Sequence, residues 1–512
     1  MGMSAVSTAS VGMKLCMFDL RRGQHEGQEL EKILFFFPAD CPFSYQLSVI
    51  GLSEGLITFT RIFSPEKPCE TIEAEMHSHV FYEAEPDIWM VMVVEKSREL
   101  ESIRRIDGIR RVLMEVHTLF VMFHGSVRTL LDKEPSGELV RTHLYYFLID
   151  YLNDFLVGKR LQLPNFRDSL KEQGTVHMLT IGREAALEVQ SLVRVLESCA
   201  ENTSCYSLIL YQDLLVSTTL SKDDLVNIFT YAVLRLTPNA LSSGLSSWSY
   251  LLKGNASSNN TGGSLLGSST SIPDQHNASS HNSSPHSYHV VRPLQPDKWS
   301  KGKDGFLVTD LWGAEVACTS DFAAPTVWIK QTGERAYLCA YQHKSLTIVL
   351  LIPFASVLNG ERGVSMVKQN ILEQASIKVI KVEEKLSRGW GGENAYHVSG
   401  YRYLLVDSDR CISRASPPEK VSTLTKDSLI AMTKLREEVD LERNRSKCEG
   451  PSNEKDEEIC IRAKNTAWVI ARLTRGMELY MVLEKASETL LYASDAVEKF
   501  SDRYCNGAFS LD

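Results

Sequence analysis

The sequence predicts an α/β fold of the α+β kind, made of three small modules that each pack helices on a mostly antiparallel sheet of five strands. Three observations predict it. The chain has 512 residues, enough for roughly three domains at about 150 residues each. A repeated order of elements, two strands, a helix, three strands and a helix, runs through it three times. With 43% apolar and 23% charged residues, the composition supports several packed cores.

The first module, residues 1–165, opens with strands at Lys14–Asp19 and Ile33–Phe37 and a helix over Tyr45–Phe63. Strands follow at Thr71–Met76, His79–Glu83 and Trp89–Glu95. Then Ile106, Ile109, Leu113, Val116, Phe120, Phe123, Val127 and Leu130 recur at three-and-four spacing on one helix face, and a further helix spans Glu138–Val157. The second module, 200–390, begins with a hairpin, Tyr206–Leu210 and Leu214–Thr218, turning at Gln212 and Asp213. Its helix carries Leu225, Ile228, Phe229, Ala232 and Leu236. Strands come at Thr326–Lys330, Arg335–Tyr341 and Ser345–Ile352, before a helix striped by Val364, Val367, Ile371, Ala375, Val379, Val382 and Leu386. The third module, 395–512, has strands at Tyr401–Val406 and Cys411–Arg414, a helix from Asp427, and strands at Ile459–Ala463, Ala467–Leu473 and Glu478–Leu483. Its last helix carries Leu490, Ala493, Val497, Phe500 and Tyr504. Two stretches break this texture. Residues 239–300 are dominated by Ser, Asn, Gly and His, too few large apolar groups to offset ordering entropy, and read as a flexible insertion. Residues 436–458 crowd charges around Gly450 and Pro451 and read as a second, solvated one.

A net charge of −9 argues against a nucleic-acid binder, which needs excess Lys and Arg to displace condensed counterions. The 11 cysteines are odd in number and scattered without zinc-like spacing, which points to reduced thiols and the cytosol. The longest apolar run, 347–358, is interrupted by Pro353 and far short of the roughly 20 residues that cross a bilayer, so membrane contact would be peripheral. Catalytic motifs are missing: no GxxxxGK[ST] cradle, no GxGxxG after a strand, no GxSxG elbow and no HExxH pair. His77 and His79 share a strand face but lack a third ligand. The sequence therefore implies no metal, no cofactor and no covalent catalysis.

Two helices carry candidate surfaces. On the first, Val49, Leu52, Leu56, Phe59 and Phe63 make one apolar stripe, expected to face the core. Leu47, Ile50, Glu54, Ile57 and Arg61 fall opposite, a mixed apolar and charged strip that would suit a protein partner. Near the end of the second module, Lys378, Lys381, Lys385 and Arg388 align four positive charges along one helix, beside Glu383 and Glu384. Solvation is the ordinary reading of such a stripe, and contact with an anionic membrane is the functional one.

The segments KILFFFP (32–38), VIGLSEGLITFTRIFSPEKP (49–68), FYEAEPDIWMVMVVE (81–95) and EEICIRAKNTAWVIARLTRGMELYMVLE (457–484), with FSLD at 509–512, closely resemble the Ccz family of vacuolar fusion proteins. The insertions at 239–300 and 436–458 depart from that pattern. The resemblance implies three longin-type domains, in line with the threefold repeat. It also implies pairing through the first longin domain with a Mon-family longin subunit, and exchange of guanine nucleotide on a late-endosomal or vacuolar Rab GTPase at an anionic phosphoinositide membrane surface. Its setting would be the cytoplasm, with peripheral recruitment to the late endosome, prevacuolar compartment and vacuole. Exchange of this kind is conformational and needs no nucleophile or metal on this chain. A longin-type adaptor or tether without exchange activity is the alternative, and a concealed hydrolase the outside one.

Overall fold

A computed structural model describes residues 13–65, 69–95, 106–157, 175–179, 181, 183–199, 205–242, 290–295, 298–309, 324–356, 361–389, 401–415, 425–449, 457–474, 477–483 and 489–504. In the first module, strands β1 (Met13–Asp19), β2 (Ile33–Phe37), β3 (Thr71–Glu73), β4 (His77–Glu85) and β5 (Ile88–Glu95) form an antiparallel sheet ordered β2-β1-β5-β4-β3. Strand alternation sorts its two faces. Cys16, Phe18, Phe81, Trp89, Val91 and Val93 point to one side, beneath helix α1 (Phe43–Phe63). Met13, Leu15, Met17, Met90 and Met92 point to the other, where α2 (Ile106–His124), α3 (Val127–Lys133) and α4 (Glu138–Val157) cover them.

The segment after α4 holds a short strand, β6 (Val176–His177), and α5 (Arg183–Cys199). The second module continues with β7 (Tyr206–Tyr211), β8 (Leu214–Thr218), α6 (Lys222–Arg235), α7 (Pro238–Ser242) and a small hairpin of β9 (Trp299–Lys301) and β10 (Leu307–Thr309). Then come β11 (Thr326–Ile329), β12 (Glu334–His343) and β13 (Leu346–Pro353), α8 (Glu361–Asn370), a π-helical turn at Ile371–Ala375, and α9 (Ser376–Gly389). Its main sheet is ordered β11-β12-β13-β7-β8, and all eight residues of β13 are buried between two layers.

The third module comprises β14 (Tyr401–Asp407), β15 (Ile412–Ala415), α10 (Lys426–Glu449), β16 (Glu457–Arg462), β17 (Trp468–Thr474), β18 (Met477–Leu483) and α11 (Leu490–Tyr504). Its sheet has six strands rather than five, ordered β16-β17-β18-β14-β15-β6, because β6 joins its edge in parallel. One apolar core runs through all three modules, taking in Met90, Phe120 and Phe147 of the first, Tyr231 and Val327 of the second, and Leu405 and Phe500 of the third. The Phe123 and Tyr231 rings meet edge to face at 4.8 Å across the first boundary.

Three expectations need correction. Helix α5 lies at 183–199, a stretch assigned to no module, and buries Val189, Leu192 and Leu196 in the second module's core. The charged stretch from 436 is not a solvated insertion up to residue 449. There α10 continues, because Met432, Leu435 and Val439 keep helical spacing and are buried while the charges mostly face out. Within 239–300, the described residues 290–295 and 298–300 pack. Val291, Leu294 and Trp299 are buried, and the Trp299 indole donates to the Tyr231 hydroxyl at 3.1 Å. Residues 243–289 lie outside the described residues.

Candidate partner interface

Helix α1 is apolar on both sides, so periodicity alone cannot say which side is inner. The structure shifts the buried face away from the expected stripe, of which Val49 and Leu56 are half-buried against the core while Leu52, Phe59 and Phe63 are exposed. Ile50 and Ile57 sit in the core at 1% and 0% exposure, with Gln46 and Ser53 on the same buried stripe. These two polar residues, which disguise the stripe, are satisfied locally. The Gln46 amide donates to the Cys41 carbonyl at 2.8 Å, and the Ser53 hydroxyl to the Val49 carbonyl at 2.8 Å.

Glu54 and Arg61 flank that inner stripe and clamp the helix to the sheet module. Lys32 Nζ lies 2.7 Å from Glu54 Oε2. The Arg61 guanidinium lies 3.0 Å from Glu83 and 3.5 Å from Asp87, and stacks over the Trp89 ring at 5.4 Å. Asp87, at positive φ in the β4–β5 turn, also accepts from Arg21 at 2.7 Å. The hydrogen bond from Arg21, aided by the charge of Arg61, holds its carboxyl below the usual range. Leu47 is half-buried. The strip expected to meet a partner is therefore the one that seats α1 on its own sheet.

The outward face is the other one. Leu52, Phe59, Ile62 and Phe63 are between 54% and 72% exposed, and the Phe59 and Phe63 rings lie against each other at 4.9 Å. Phe43 is exposed at the start of the helix. Gly51 and Gly55 lie on the same face, and a β-carbon built at either would meet nothing within 4 Å. Each glycine inside a helix costs about 1 kcal/mol relative to alanine, so two of them one turn apart need a reason that this chain's own packing does not supply. A flat strip around two glycines, rimmed by large apolar side chains, admits close approach by another backbone.

The basic stripe also stands differently from its expected exposure. Lys378 is half-buried and donates to the Ser191 hydroxyl at 2.7 Å, while Lys385 lies 3.8 Å from Glu184 and 3.6 Å from Glu188. Both lean on α5, the helix absent from the sequence-based layout. Lys381 is exposed, and the side chain of Arg388 lies outside the described residues. Glu383, nearly buried, pairs with Lys344 at 2.9 Å.

Among the described residues, no group of three or more His, Cys, Asp or Glu side chains could hold a metal ion, and no helix is long and apolar enough to cross a membrane. Burial pushes the Cys16 thiol up to about 12 and that of Cys339 up to about 11, while burial together with the neighbouring Glu458 carboxylate pushes the half-buried Cys460 up to about 12, which disfavours the thiolate at all three.

Stacked modules of this kind, with helices on both faces of an antiparallel sheet, make the chain a multi-domain α+β protein. Residues 13–125 match the family described as the first longin domain of INTU, CCZ1 and HPS4, and residues 205–377 match the Intu longin-like domain 2. The chain is 65% identical over 516 residues to vacuolar fusion protein CCZ1 homolog B of Arabidopsis thaliana and 59% identical over 512 residues to the CCZ1 homolog of Oryza sativa subsp. japonica, with 100% of both chains covered in each case. The CCZ1 homolog of Nematostella vectensis is 23% identical over 534 residues, again end to end. The chain belongs to the CCZ1 family of vacuolar fusion proteins.

Proposed function

We propose that this chain is one subunit of a heterodimeric guanine-nucleotide exchange factor for a late-endosomal or vacuolar Rab GTPase, paired with a Mon-family longin subunit through the outward face of α1. The single observation that carries the reading is that face, with Leu52, Phe59, Ile62 and Phe63 exposed around two glycines on the first longin module. An apolar strip of this size on a small module is ordinarily covered in the working assembly. Family membership supplies the context of vacuolar trafficking and fusion. The complex would bind the GTPase, rearrange its switch region and release nucleotide, a change of conformation without covalent chemistry. It would work from the cytoplasm, recruited peripherally to anionic, phosphoinositide-bearing membrane of the late endosome, prevacuolar compartment and vacuole. Of the basic stripe, Lys381, which is exposed, would contribute to that contact.

The test is co-expression with a Mon-family subunit, followed by release of fluorescent GDP from the Rab. Wild type should co-purify and accelerate release. Phe59→Asp with Phe63→Asp should remain folded by circular dichroism and lose both. Unchanged co-purification of that variant would overturn the interface. An intact complex that leaves release at the intrinsic rate would make the protein an adaptor or tether.

A further inference from the structure

Residues 175–179, ahead of α5, touch two modules. Strand β8 is the last strand of the second module's sheet, and β15 would be the last strand of the third's. Such edges display a row of unpaired backbone groups. Residues 175–179 run between them. On one side the Val176 amide donates to the Cys411 carbonyl at 2.7 Å and the Met178 amide to the Ser413 carbonyl at 2.8 Å, in parallel with β15. On the other side the Leu179 amide donates to the Leu215 carbonyl at 2.7 Å, and Met178 bridges Leu215 in parallel. The amides at 176 and 178 face one module and the amide at 179 faces the other, as strand alternation requires.

The side chains alternate too. Val176 and Met178 enter the core that reaches into the first module, and Leu179 enters the core beneath α5 and α9. Arg414, buried on β15, brings Nη2 to 3.5 Å from Met178 Sδ. Backbone and side chains together make this stretch an edge strand of the third module's sheet that is also bridged, at Met178 and Leu179, to the edge of the second's.

We propose that Thr175–Leu179 is a clasp that locks the second and third modules into one mechanical body. The inference is independent of nucleotide exchange, since it rests on the pairing and packing of these five residues.

Hydrogen–deuterium exchange on the full chain tests it. Met178→Pro removes the donor to Ser413 and Leu179→Pro the donor to Leu215, with Met178→Leu as the control. The clasp predicts that either proline accelerates exchange about tenfold in both β8 and β15, with the control unchanged. Acceleration confined to the strand whose own donor was removed, or in neither strand, overturns the clasp. Should the proline variants not fold, the wild-type chain decides. Amides of Val176, Met178 and Leu179 that exchange as slowly as those of β8 and β15 support the clasp, and exchange at the rate of an unprotected amide overturns it.

Discussion

Arg292 grips Asp150 with two hydrogen bonds, Nη2 to Oδ1 at 2.6 Å and Nε to Oδ2 at 3.1 Å, although 142 residues separate them. Asp150 belongs to α4 of the first module and is 4% exposed, while the guanidinium also stacks on Tyr146 at 5.3 Å. The pair pins the returning end of the long insertion onto the first module. Arg292→Met strands a buried carboxylate and should cost about 3 kcal/mol in urea unfolding. Adding Asp150→Leu should recover most of that loss, because the remaining charge is then gone.

The two faces of α1 should separate cleanly in stability measurements. Ile57→Ala opens a cavity beneath the helix and should cost about 2–4 kcal/mol. Phe59→Ala, two residues on, should shift the unfolding free energy by no more than about 0.5 kcal/mol, since that ring already stands in water. Equal costs at the two positions would reverse the assignment of faces.

At Gly55 stability and association should move in opposite directions. Gly55→Ala places a methyl in open space and should stabilise the free chain by up to about 1 kcal/mol through helix propensity. Gly55→Leu should keep the chain folded and weaken binding of the Mon-family subunit at least tenfold, read by titration calorimetry, because the branched side chain keeps the partner's backbone at a distance.

His124 should make the boundary between the first two modules sensitive to acid. Burial, reinforced by the neighbouring His143 and Arg335, pushes its imidazole down to about 3. The unfolded chain takes up a proton near pH 6.5 that the folded chain refuses, so the stability this neutral ring carries is complete above pH 6.5 and declines toward pH 3. The decline is about 1.4 kcal/mol per pH unit, or roughly 2 kcal/mol by pH 5. His124→Phe, which keeps an aromatic ring beside Phe120 and Phe147, should flatten that part of the pH profile. Parallel profiles for the two proteins would rule His124 out as the source.

The repeating order of strands and helices was legible because period-two and period-3.6 patterns are local. The helix at Glu138–Val157 has the ends its apolar spacing predicts, and β5 differs by one residue. What local pattern could not supply was the choice between two apolar faces. On α1 the inner stripe includes Gln46 and Ser53, whose polar groups bond to their own chain, and the outer one carries the larger hydrophobes. Amphipathic logic therefore favours the wrong side. Helix α5 was legible in principle, since Val189, Leu192 and Leu196 are spaced as a buried stripe. Without it, the lysines at 378 and 385 had no visible partners. Segment 175–179 offered too few residues for any period to register, and its role depends on strands far along the chain.

That distance sets an order of events at the ribosome. His177 precedes its neighbour Ser413 by 236 residues, which at 5–20 residues per second is roughly 10–50 s of translation. For that interval the nascent chain carries one strand of its final module with nothing yet made to pair with it on that side. The last module to be synthesised thus completes its edge on a piece of polypeptide laid down before the middle module began, and a ribosome that stalls just after residue 389 leaves a product whose middle module is whole but whose segment 175–179 is open along one flank.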